Sequence, residues 1–95
     1  EIENVMLMHP DVQEAAAIGV PDELRGQVIK AFLVSRRSGS DAFIQEIQDL
    51  LRSKLSQHEY PRQVAFVAEL PKTPAGKVHR KVLRERELAA LAATA

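Results

Sequence analysis

Leu70-Pro71-Lys72-Thr73-Pro74-Ala75-Gly76-Lys77-Val78-His79-Arg80 is the stretch from which the rest of the chain is read. Its two prolines remove backbone donors and fix φ, so the segment is neither regular helix nor a central strand. They also restrict the loop before it meets anything, which lowers the entropy lost in presenting a fixed tip. Gly76 allows either a positive φ or a close approach of backbone to a ligand. Lys77 follows with a compact charge on a flexible stem, suited to a phosphoryl oxygen or a developing negative charge. This is not a phosphate-binding P-loop, which needs a longer glycine pattern and a Ser or Thr after the lysine. On composition alone the segment is either a functional tip or an ordinary basic turn.

Upstream of it, Val64 to Ala68 reads as a strand entered through the turn Tyr60-Pro61-Arg62. Before that turn, Phe43, Ile44, Ile47, Leu50, Leu51 and Leu55 form an apolar stripe at helical spacing, with Ser40 or Asp41 placed to cap the helix. Val28 to Val34 is a strand in which only Lys30 is polar, the pattern of a central strand covered on both faces. Val12 to Val20 is a further strand ending at Pro21-Asp22. Ile2, Val5, Met6 and His9 sit at helical spacing, and Pro10 stops that helix at His9. No cap precedes it, so the chain is expected to continue upstream. Downstream, Arg80 to about Leu91 is a helix supported by a Lys81–Glu85 pair. The order α-β-β-α-β-loop-α predicts one small α+β unit over residues 1–95, a three-stranded sheet packed with helices.

Composition narrows the function classes. No stretch approaches the roughly 18 apolar residues of a membrane span. With no cysteine there is no disulfide framework, thiolate ligand or thiolate nucleophile, and a cytoplasmic location is expected. His9, His58 and His79 are isolated, without metal-ligand spacing. Formal net charge is zero, but residues 1–61 hold six Lys/Arg against ten Asp/Glu, whereas 62–95 hold seven against three. That basic end either faces phosphates or is a solvated terminal helix. Nucleic-acid binding is disfavoured, because Phe32, Phe43, Phe66 and Tyr60 are not interleaved with the basic residues.

The full string Pro71-Lys72-Thr73-Pro74-Ala75-Gly76-Lys77-Val78-His79-Arg80, followed by Leu83-Arg84, resembles the last core motif of the adenylate-forming enzymes. These include acyl-CoA synthetases, luciferases and the adenylation domains of peptide synthetases. Glu1-Ile2-Glu3, His9-Pro10, Glu14, Gly19-Val20-Pro21-Asp22, Gly26, Lys30-Ala31-Phe32-Leu33-Val34 and Tyr60-Pro61-Arg62 look like the same family, so the likeness runs along nearly the whole chain. Pro21 to Gly26 together with Glu59 to Arg62 look nearest to medium-chain and related carboxylate–CoA ligases.

The resemblance implies the mobile C-terminal domain of an enzyme whose large upstream domain and hinge lie outside this chain. It implies two half-reactions: a carboxylic acid and ATP give an acyl-adenylate, and coenzyme A then takes the acyl group and releases AMP. Mg²⁺ and its ligands belong to the other domain. Lys77 matches the lysine of the first half-reaction, with Thr73 and Gly76 shaping its loop. Arg25 matches an arginine that contacts coenzyme A in medium-chain relatives, and Arg52 lies near the position of a basic residue that does the same, although Arg52 reads equally as an exposed helix charge. Arg80 either meets an acidic group of the large domain or serves its own helix, and Lys72 is expected to be solvated. Gln27 stands where the family often has glutamate. An exposed Lys77 is a target for a lysine acyltransferase and deacylase. The acceptor could instead be a carrier protein, as in peptide synthetases, or another nucleophile, as in luciferase-like or acyl-AMP ligases.

Overall fold

The computed structural model describes residues 2–55 and 61–94. Six elements follow in order: α1 (Ile2–Met6), β1 (Val12–Asp22), β2 (Gly26–Ser35), α2 (Asp41–Lys54), β3 (Gln63–Phe66) and α3 (Arg80–Thr94). The predicted order α-β-β-α-β-loop-α is the observed one. His58, Glu59 and Tyr60 lie outside the described residues.

The sheet has the order β1-β2-β3, with β1 antiparallel and β3 parallel to β2. β2 is therefore central, and the run Ala31-Phe32-Leu33-Val34 is buried on both faces, as its unbroken apolar pattern predicts. One face carries Val12, Ala15, Ala31 and Leu33 against Val5 and Met6 of α1 and Phe43, Ile47 and Leu51 of α2. The other carries Ala16, Ile18, Val20, Val28, Phe32 and Val34 against Leu70 and Leu83. Helices thus cover both sides of the sheet, which explains the alanines of β1: Ala16 stands opposite Phe32, and both are buried.

The register slips between Val12 and Glu14, leaving Gln13 as the extra residue of a bulge. A bulge inverts the alternation of faces. Val12 consequently shares the α2 face with Ala15, while Glu14 turns to the face of Ala16 and Ile18.

Element ends differ from the sequence reading for local reasons. β1 continues through Pro21 to Asp22 because it is an edge strand, where a missing N–H costs no ladder bond. α1 ends at Met6 rather than His9, as Met8 and His9 donate to the Val5 and Met6 carbonyls in tighter i,i+3 turns. β3 ends at Phe66, after which only the Val67 N–H still reaches the Leu33 carbonyl, at 2.9 Å. Ser40 is the cap of α2, its Oγ accepting the Phe43 N–H at 3.1 Å.

The expected Lys81–Glu85 pair does not form among the described residues. The acid that finds a cation on α3 is Glu87, which meets Lys30 of β2 at 2.5 Å with both side chains largely buried.

Candidate functional site

Residues 71–79 form a small hairpin standing between β3 and α3. Thr73 donates its N–H to the Lys77 carbonyl at 2.7 Å and accepts the Gly76 N–H at 2.9 Å. Lys72 and Val78 face each other in an antiparallel bridge, and the His79 N–H donates to the Pro71 carbonyl at 2.7 Å. This is a three-residue loop, Pro74-Ala75-Gly76, of the kind in which a type I turn precedes a left-handed residue. Pro74 presets the first turn position, and Gly76 takes φ +82. A Cβ on Gly76 would meet nothing within 4 Å, so within the domain this glycine is required by its positive φ and not by crowding.

The hairpin is fixed to the rest of the domain on both arms. Leu70 ahead of it and Leu83 after it are buried in the same apolar cluster. Lys72 is not simply solvated; its ammonium pairs with Glu14 at 2.6 Å, on the face to which the Gln13 bulge turns that carboxylate. His79 caps α3, its carbonyl accepting the Leu83 N–H at 3.1 Å and its Nδ1 accepting the Val82 N–H at 3.4 Å. Arg80 forks onto both oxygens of Glu3, and Glu3 Oε2 also accepts the Ala17 N–H at 2.8 Å. Although burial raises the Glu3 pKa, the bonds from Arg80 and Ala17 outweigh it and hold the carboxyl below its ordinary value of 4.5.

Lys77 itself is exposed. Its backbone is held at both ends, the carbonyl by Thr73 N–H and the N–H by Thr73 Oγ1 at 3.3 Å. Among the described residues its ammonium forms no ion pair. The arrangement presents one mobile charge from a fixed base, able to stabilise an anion brought to it.

The other two candidate residues do not join this group. Arg25 lies in the turn between β1 and β2, where Asp22 Oδ2 accepts its N–H at 2.9 Å and that of Leu24 at 3.2 Å. The hairpin is tied at Glu14, and the eight residue-to-residue steps of β1 from Glu14 to Asp22 span about 26 Å at strand rise. Arg52, exposed on α2, pairs with Asp49 at 3.6 Å. α2 lies in the crossover between the parallel strands β2 and β3, and β3 begins opposite Lys30, midway along β2. Gln27 lies on the same ribbon with its side chain across Gly19.

Glu3 and Glu14 are among the residues that resemble the family, but the resemblance gives neither a role. The signal available was the charge imbalance: acids of the first half pair with Lys72 and Arg80 of the basic last third, so part of that basic character is satisfied within the domain.

A small mixed sheet between helices, carrying a lysine on a braced hairpin, defines the class of this domain. Residues 1–77 match the AMP-binding enzyme C-terminal domain, and the chain belongs to that family. It is 43% identical over 91 residues to the human mitochondrial acyl-coenzyme A synthetase ACSM1, covering 92% of this chain and 16% of that protein. The crystal structure of Brucella canis acyl-CoA synthetase superposes with a TM-score of 0.88 at 43% identity, over 95% of this chain and 17% of that one. The amide bond synthetase McbA from Marinactinospora thermotolerans superposes at 0.76 with 38% identity, over 88% and 17%. This chain therefore spans only 16% to 17% of the length of these relatives.

Proposed function

We propose that residues 1–95 are the C-terminal domain of an ATP-dependent acyl-CoA synthetase, and that Lys77 serves its adenylation half-reaction. The observation that carries this reading is the braced hairpin with an exposed ammonium at Lys77. In that half-reaction a carboxylate oxygen attacks the α-phosphorus of ATP and the bond to pyrophosphate breaks. Two anions must meet, and charge grows on the phosphoryl oxygens. A preplaced ammonium favours the transition state over the ground state. In the second half-reaction the sulfur of coenzyme A attacks the acyl carbon and AMP leaves.

The separation along the ribbon supports a division of labour between these steps. Lys77 serves the first, while Arg25, in the turn at the other end of the ribbon, and Arg52 on α2 suit the phosphates of coenzyme A. One small domain can bring both to a single site only by presenting different faces in turn to the large upstream domain. Among the described residues no group of three His, Cys, Asp or Glu could hold a metal, and the ligands of the Mg²⁺ that the family implies are expected on the upstream domain. The same exposure that lets Lys77 reach substrate leaves it open to a lysine acyltransferase, whose neutral product would stop adenylation. No helix among the described residues is long and apolar enough to cross a membrane, and a cytoplasmic enzyme is our reading.

The likeness to an amide bond synthetase favours one second reading, transfer of the acyl group to a nucleophile other than coenzyme A, including the carrier protein of a peptide synthetase. The test is to assay the full-length enzyme for carboxylate-dependent exchange of labelled pyrophosphate into ATP across acetate, medium-chain and aromatic acids. Thioester formation is followed in parallel. Exchange with thioester supports the synthetase, exchange without thioester supports the second reading, and no exchange with any acid contradicts both.

A further inference from the structure

The hairpin bearing Lys77 has no slack on its C-terminal arm. Lys77 bonds Thr73, Val78 is bridged to Lys72, His79 bonds Pro71, and Arg80 follows at once. Whatever fixes Arg80 therefore fixes the lysine. Arg80 is held from 77 positions away in sequence, by the carboxylate of Glu3 on α1. Arg80 Nε donates to Glu3 Oε2 at 3.0 Å, and Nη2 donates to Oε1. Oε2 also accepts the Ala17 N–H at 2.8 Å. β1 is an edge strand, so an outward N–H there lacks a neighbouring strand, and Glu3 supplies the missing acceptor. One carboxylate thus accepts three bonds to its charged form, of which the two from Arg80 make a planar fork. Glu3 is 22% exposed in its side chain against 54% for Arg80, so the acid is the fixed member of the pair.

We infer that Glu3 is a positioning residue for Lys77: it seats the hairpin on the sheet through Arg80 and touches neither substrate nor nucleotide. The second tie, Lys72 to Glu14, is more exposed at its acid, 35% against 22%, but less exposed at its cation, 39% against 54%. Leu70 and Leu83 hold the two arms by burial; Glu3 is the polar tie that follows the hairpin directly, accepting a fork from Arg80 as well as the Ala17 N–H. The inference rests on the proposed role of Lys77, but its structural half can be read without it.

The experiment uses the full-length enzyme with Glu3→Gln and Arg80→Lys, each alone and combined with Lys77→Ala. Glu3→Gln keeps an acceptor for Ala17 and removes the charge; Arg80→Lys keeps the charge and removes the fork. Each single variant is expected to lower kcat for pyrophosphate exchange about tenfold to a hundredfold, since a displacement near 1 Å has effects of that size. KM for the carboxylate stays close to that of the parent enzyme. Thioester formation from supplied acyl-AMP is retained. In the Lys77→Ala background neither substitution lowers exchange further, as expected when both act through one group. Equal loss of both half-reactions, additivity with Lys77→Ala, or unchanged exchange in a parent enzyme that depends on Lys77 overturns the inference. Amide hydrogen exchange gives the independent readout. Thr73, Gly76 and His79 should exchange about tenfold faster in both variants than in the parent. Unchanged protection overturns the positioning role even if the enzyme proves to be no synthetase. Absence of carboxylate-dependent exchange in the parent overturns the functional reading alone.

Discussion

Thr73 and Lys77 close the hairpin on each other, the Thr73 N–H donating to the Lys77 carbonyl at 2.7 Å and the Lys77 N–H donating to Thr73 Oγ1 at 3.3 Å. The side-chain bond is long and exposed, so Thr73→Val should lower global stability by less than about 1 kcal/mol. Gly76→Ala has room for its methyl but not the backbone, because φ +82 costs an L-residue about 1–2 kcal/mol. Gly76→Asn should be milder. Urea unfolding ranks the three variants, and the expected order of loss is Ala above Asn, with Val smallest.

Two other glycines separate space from conformation. A Cβ at Gly39 would lie 2.3 Å from the Phe66 ring, which packs on Phe43 with centroids 5.1 Å apart. A Cβ at Gly19 would meet the amide end of Gln27 at 1.6 Å, an exposed side chain that can swing aside. Gly39→Ala is expected to cost about 1–3 kcal/mol through overpacking, and Gly19→Ala measurably less. Equal losses in thermal unfolding would contradict this.

Much of the fold was legible because it rests on local pattern. The stripe from Phe43 to Leu55 gave α2, and the unbroken run at Ala31 to Val34 gave a central strand. What local pattern cannot encode is pairing at long separation. Nothing in Gln63 to Phe66 says that it lies parallel to Lys30 to Leu33, and nothing near Gln13 announces the bulge that turns Glu14 toward Lys72. The site divides in the same way. Two prolines and a glycine before Lys77 spell a presented turn, whereas the Glu3–Arg80 tie joins the two ends of the chain and becomes visible only when they meet.

Lys30 and Glu87 are 18% and 12% exposed in their side chains, at 2.5 Å from each other. Glu87→Ala leaves a partly buried ammonium without its partner and should cost about 1–3 kcal/mol. Replacing both residues by Met should recover most of that loss, because the desolvation cost of the pair disappears with the charges. Denaturant midpoints of the single and double variants check this; a double variant no better than the single one contradicts it.

Glu3 also sets a pH dependence. Its folded pKa lies below the ordinary value of 4.5, so the unfolded chain binds the proton more readily. The stabilisation from its charge is fully present above pH 4.5 and is lost as pH falls through the folded value. The stability difference between the parent and Glu3→Gln should therefore be constant from neutral pH down to about pH 5 and shrink below 4.5. A difference that grows on acidification would have the wrong sign.

The most direct test of the account is Lys77→Ala in the full-length enzyme, with the two half-reactions measured separately. Loss of one preplaced charge should slow carboxylate-dependent pyrophosphate exchange about 10²- to 10³-fold, while thioester formation from supplied acyl-AMP and coenzyme A stays near the parent rate. Exchange that survives Lys77→Ala, or an equal fall in both half-reactions, would contradict the role assigned to Lys77.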